Sequence, residues 1–206
     1  MAQNLTDRGF DALHYEGPGT DMTVGLLAGA SWQAARFQTA DGIPHMPNLP
    51  TEEVFTSPDP ERVDGVVQST KPLVLMDGTV VRGLRVRFEG GRAVQIDADT
   101  AAETMRTICD RDEGAARLGE IALVDAEGRI GALDTVFYDT LLDENAASHV
   151  AFGQGFPFVI GEEARDRVNA SELHLDFMIG SLELKVTGIT AAGERVPVLV
   201  EGHWGI

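Results

Sequence analysis

The stretch PLVLMDGTVVRGLRVRFEGGRAVQI, residues 72–96, decides the fold class. Asp77-Gly78 between two apolar, β-branched runs is a strong short-range hairpin signal. From Leu84 to Phe88 apolar residues alternate with arginine, and Gly90-Gly91 turns the chain back into Ala93–Ile96. Strict alternation puts one face of each strand in water, as in an antiparallel sheet. The expectation is an α+β fold: a β-dominated single domain with mostly antiparallel strands and a few helices.

Strand signals continue C-terminally at 120–124 (EIALV), 149–152 (HVAF), 173–179 (LHLDFMI), 182–189 and 196–200. Ala192-Gly193 makes the last two a third hairpin. On the other side, residues 1–50 are rich in turn formers such as Glu16-Gly17-Pro18-Gly19 and Asp41-Gly42-Ile43-Pro44. Within them 22–27 reads as a strand, and the segment is expected to wrap as strands and loops on a larger body. One helix is marked by Thr100-Ala101-Ala102-Glu103, which has the form of a capping box. Ala101, Met105, Ile108 and Cys109 give it a single apolar stripe, so Cys109 reads as a small buried hydrophobe.

Composition narrows the function classes. The 206 residues carry 16 Lys+Arg against 33 Asp+Glu, a formal charge of −17. Such a surface suits neither the phosphates of nucleic acid nor an anionic membrane. A single cysteine allows no internal disulfide and no cysteine-based zinc site, which fits a reducing compartment. The start MAQNLTDRGF has no apolar signal core, and MTVGLLAGA is too short to span a bilayer. The expected setting is cytoplasmic.

Four segments carry candidate chemistry. In His174-Leu175-Asp176 the imidazole and carboxylate are two apart on a strand, so they project from one face and can share a divalent cation. Leu175 and Phe177 then point to the core. Glu144 and His149 are five apart and converge only through a turn. Glu52 and Glu53 are neighbours entering a strand, so at most one of them faces a given site. Glu120 opens an apolar strand and must be solvated or paired, because a lone buried carboxylate is costly.

Together NLPTEEVFTSP (48–58), LGEIALV (118–124), LDENAASHVAFG (142–153) and SELHLDFMIGS (171–181) resemble the motif set of the aminopeptidase T family of metallopeptidases. GFDALHYEGPGTDMTVGL, DGIPHMPN and the closing VPVLVEGHW are similar to that family in the same order. The resemblance implies that residues 1–206 form a metallo-aminopeptidase catalytic domain. On that reading residues 1–50 lead into it, and the family's N-terminal domain is expected to be absent. It also implies two divalent ions (zinc, cobalt or manganese) on Glu53, Glu120, Glu144, His149, His174 and Asp176. Glu120 would be the bridging carboxylate, and Glu53 is preferred because the family motif centres on the residue before Val-Phe. Four carboxylates and two neutral imidazoles supply −4, which matches two dications. The implied substrate is a peptide with a free N-terminus, the implied assembly a homodimer, and Glu52 is a candidate for recognising the substrate amine.

One departure bears directly on catalysis. The family carries a catalytic tyrosine seven residues after the histidine of its ENAxxH motif, and here that position is Phe156. A phenyl ring donates no hydrogen bond to an oxyanion, and losing one such donor costs about 10²–10³ in rate. Tyr15 or Tyr138 replaces it only if the fold brings one close. Phe156 and the missing domain favour an alternative, a metal-binding but catalytically silent half-protein that serves as a dimerisation or binding module. His45 and His203 read as structural, and no spacing argument places His14 in the site.

Overall fold

The computed structural model describes residues 1–206. Its N-terminal part runs α1 (Ala2–Arg8), β1 (Ala12–Gly17), β2 (Thr20–Leu26), β3 (Gln33–Ala34), β4 (Phe37–Gln38) and β5 (Pro44–His45). The middle adds β6 (Val54–Thr56), β7 (Pro58–Gln68), β8 (Leu73–Val74), β9 (Val80–Val81), β10 (Arg85–Glu89), β11 (Arg92–Asp97) and α2 (Ala102–Cys109). Then come β12 (Leu118–Leu123), α3 (Thr140–Glu144), β13 (His149–Gly153), β14 (His174–Met178), β15 (Lys185–Ile189), β16 (Arg195–Val200) and β17 (His203–Trp204).

The three expected hairpins are present as β8–β9, β10–β11 and β15–β16. In the first, the Asp77 carboxylate accepts from the Thr79 amide at 2.9 Å and Gly78 takes φ +85°. That is the left-handed geometry glycine tolerates at no steric cost. Strand pairing is antiparallel throughout the two main sheets. An eight-stranded sheet has the order β11-β10-β7-β2-β1-β15-β16-β17, and a five-stranded sheet the order β14-β13-β12-β6-β3. The main apolar core draws on both: Tyr15, Met22, Val63 and Phe88 of the large sheet join Ile121, Val150, Phe152 and Phe177 of the small one. Phe88 meets Phe152 with ring centroids 5.8 Å apart. The fold is therefore a single strand-rich α+β domain, as the alternation at 72–96 predicts.

Two local expectations are corrected. Residues 1–50 do not merely wrap a larger body, because β1 and β2 lie in the middle of the eight-stranded sheet. The partner that places β1 there, β15, is far away in sequence, with His14 opposite Thr187. The capping box at Thr100 does not form. The α2 N-cap is Ala101 in the left-handed region, without a side-chain cap. The Thr100 hydroxyl donates to the Val80 carbonyl and accepts from the Arg82 amide, so the neighbouring hairpin has claimed it. The stripe itself holds: Met105 and Cys109 are buried. No helix is long and apolar enough to cross a membrane.

Candidate metal centre

The five-stranded sheet has one face on the core and one face carrying the polar residues. Period-two alternation sends Val54, Ile121, Leu123, Val150, Phe152 and Phe177 to the main core. The other face is set by register. Glu120 lies opposite Ala151, and Ala151 opposite Asp176. Ala122 lies between Phe55 and His149, and His174 lies opposite Gly153. Fully buried alanines thus form the floor, and their small size leaves room for longer acidic and imidazole side chains to converge above them.

Two donor triads result. Glu53, Glu120 and His149 bring ligand atoms within 4.8 Å of one another, as do Glu120, His174 and Asp176. Glu120 belongs to both. His149 Nε2 is 3.1 Å from a Glu53 carboxylate oxygen, and His174 Nε2 is 3.1 Å from Glu120 and 3.5 Å from Asp176. Of the six residues expected in the metal set, five meet in these triads. Glu144, at the end of α3, stands beside them within reach of their charges.

Backbone anchors aim the imidazoles. His149 Nδ1 donates to the Ala147 carbonyl at 3.1 Å, and His174 Nδ1 donates to the Gln154 carbonyl at 2.8 Å. A carbonyl only accepts, so each Nδ1 carries the hydrogen and each neutral ring turns its Nε2 lone pair toward carboxylates. Lone pair against carboxylate is repulsive unless a proton or a cation lies between them. Metal-ligating histidines are anchored in this way. The oxygen and nitrogen donors also suit a divalent transition metal, so the residues present fit the group that the motifs imply. Ser148 fixes the start of β13, since its hydroxyl accepts from the Val124 amide and donates to the Val124 carbonyl. Gly153, at φ +90°, lets the chain turn so that Gln154 can receive His174.

The electrostatics follow from crowding acids in a buried place. Burial raises the Glu120 carboxyl, and the hydrogen bond from His174 only partly offsets it. Glu144 is pushed up to about 8, first by burial and then by the Asp176 charge. Burial alone would lower His149, but Glu53 and the other carboxylates outweigh it and push the imidazole up to about 10. His174 reaches about 11 in the same way through Asp176 and Glu120. Asp176 is held below the usual range: burial works against this, and the His174 hydrogen bond prevails.

The remaining candidate residues each have their own surroundings. Glu52 turns to the loop after β12, where one carboxylate oxygen accepts from Arg129 at 3.0 Å and the other is buried without a partner. Phe156 packs on His174 and on Phe55. Neither tyrosine makes up for it: Tyr138 hydrogen bonds with Arg82, and the buried Tyr15 hydroxyl has no partner. His14 pairs with Asp21 and His203 with Asp125, and His45 is exposed in β5. Sequence reasoning missed the anchors. Ala147 and Gln154 act through carbonyls, which leave no side-chain signal, whereas the polar Asn145 between Glu144 and two alanines was a visible one.

A family profile for thermophilic metalloproteases, M29, matches residues 1–204. The chain belongs to the M29 metalloprotease family. Aminopeptidase T of Thermus aquaticus is 50% identical over 208 residues, which cover 98% of this chain and 51% of that protein. Aminopeptidase AmpS of Bacillus subtilis is 40% identical over 209 residues, covering 98% and 51%. The solved structure of wild-type AmpT from Thermus thermophilus superposes with a TM-score of 0.94 at 50% identity, over all of this chain and 52% of that one. This M29 chain spans about half the length of the curated relatives it matches.

Proposed function

We propose that the donor cluster holds two divalent cations and that the chain forms the catalytic part of an aminopeptidase, removing N-terminal residues from peptides. The observation that carries this reading is the shared Glu120: two triads overlap on one carboxylate, with one anchored histidine in each. We assign Glu53, Glu120, His149, His174 and Asp176 as ligands, with Glu144 completing the set at its edge. Zinc, cobalt or manganese suits these donors. When bound, such ions supply Lewis acidity and an activated water. The Ala122 and Ala151 floor keeps the donors convergent. Burial pushes the Glu144 carboxyl up to about 8, near neutrality, which suits it to carry a proton to the departing amine.

The test is purification without chelators, followed by metal analysis and hydrolysis of leucyl chromogenic substrates. Two equivalents of metal are expected, with activity lost on chelation and in His174→Ala. Metal-free protein from such a preparation would sink the reading. Phe156 favours a second one, in which the centre binds metal but turns over nothing and the chain serves as a dimerisation module. Stoichiometric metal without hydrolysis, in a sedimenting dimer, distinguishes it.

A further inference from the structure

We infer that Asn145 is a positioning residue that sets Glu53 against Glu144 and His149, and that it governs cation affinity on the Glu53–Glu120–His149 side alone. The inference rests on the metal-centre reading above. Glu53 stands one residue before β6, whose pairing with β12 ends at Val54 opposite Leu123. The ladder therefore does not itself fix the Glu53 peptide. Asn145 does so from outside the sheet. Its side-chain oxygen accepts from the Glu52 amide at 2.7 Å, and its side-chain nitrogen donates to the Leu141 carbonyl in α3 at 3.0 Å. The residue is fully buried.

With both ends of the amide engaged, the side chain is a short strut between two segments 93 residues apart. A buried polar side chain bonded at both ends in this way specifies one arrangement. On one side it holds the approach to Glu53; on the other it follows Glu144 directly and lies four residues before His149. The Glu120–His174–Asp176 side is placed differently, by strand register and the Gln154 carbonyl, and none of these bonds involves Asn145. Removing the strut would take away the acceptor of the Glu52 amide and free Glu53 to move. Loss of such a supporting contact lowers metal affinity by about 10–100-fold.

The experiment is a cobalt titration of the metal-free chain, followed by calorimetry and visible absorption, in Asn145→Leu and Asn145→Asp. Leucine is close in volume but neither donates nor accepts, whereas aspartate keeps an acceptor for the Glu52 amide. In N145L one of the two sites should weaken by about 10–100-fold and the other stay within about twofold. N145D, which keeps the acceptor for the Glu52 amide but loses the donor to the Leu141 carbonyl, should weaken the same site less than N145L does. In a His174→Ala background, which strips a donor from the other side, adding N145L should leave no tight site. Equal weakening of both sites, an unchanged N145L, or an N145D that behaves like N145L overturns the inference while leaving the metal centre standing. A parent chain that binds no cobalt overturns the metal-centre reading, and this inference with it. If N145L shows no melting transition when metal-free, Asn145→Ala is titrated against the same outcomes.

Discussion

The Phe156 ring centroid lies 5.3 Å from that of His174, with the planes inclined at 47°. The position seven residues after His149 thus sits against the donor cluster although it carries no hydroxyl. Its ring is held by Phe55 and Phe158, and its amide donates to the Ser57 hydroxyl at 2.7 Å. A tyrosine there needs no new backbone path. Phe156→Tyr is therefore expected to raise kcat for leucyl substrates by about 10²-fold, with KM changing much less, because an oxyanion donor acts mainly in the transition state. Steady-state kinetics with both proteins decide it, and an unchanged kcat would mean that the ring does not border the reacting carbonyl.

Crowding four carboxylates into one place strains the metal-free protein. Cations that bind only the folded state stabilise it by mass action, about 2.7 kcal/mol at 100 times Kd. For a chain of this size that is a rise in melting temperature of roughly 5–10 °C. Calorimetry with and without EDTA measures it. Identical melting curves would speak against occupancy of the cluster.

What the sequence made legible was local. The hairpin at Asp77-Gly78 and the shared face of His174 and Asp176 follow from neighbouring residues and period two alone. Glu53 and Glu120 could each be recognised only as an acid entering an apolar strand. Their meeting depends on β6 pairing with β12 across more than sixty residues (Phe55 opposite Ala122), which spacing does not encode. The motif resemblance, not periodicity, grouped them. Thr100 shows the opposite failure: a valid capping pattern lost its hydroxyl to the Val80 carbonyl, a contact supplied by tertiary structure.

The alanine floor gives a steric prediction. Ala151 is fully buried and lies directly between Glu120 and Asp176 across the sheet. Ala151→Val adds two methyl groups at that point. Overpacking of this kind costs about 1–3 kcal/mol, and here it also pushes the two carboxylates apart. Metal affinity should fall by more than the loss of stability explains, whereas Ala151→Gly should weaken the fold with a smaller effect on metal binding. Parallel urea denaturation and metal titration separate the two effects, and equal metal affinity in all three proteins would rule out the floor's role.

Acidity should act in opposite directions on the metal-free and loaded forms. Without metal, His149 and His174 have folded pKa values of about 10 and 11 against an ordinary 6.5. The stability they contribute is complete below about 6.5 and is lost as pH rises through those values. Glu144, raised from 4.5 to about 8, works in the same direction at lower pH. At the acid end the sign reverses for Asp176, whose lowered pKa gives stability that disappears as pH falls through it. The metal-free chain should therefore melt at progressively lower temperature from about pH 6 to pH 10. Cations need the imidazoles and carboxylates deprotonated, so metal affinity should climb over the lower part of the same range. The gap between the melting temperatures of loaded and metal-free protein should consequently widen from pH 6 to pH 8. A gap that narrows with pH would show that protons and cations do not compete for these side chains.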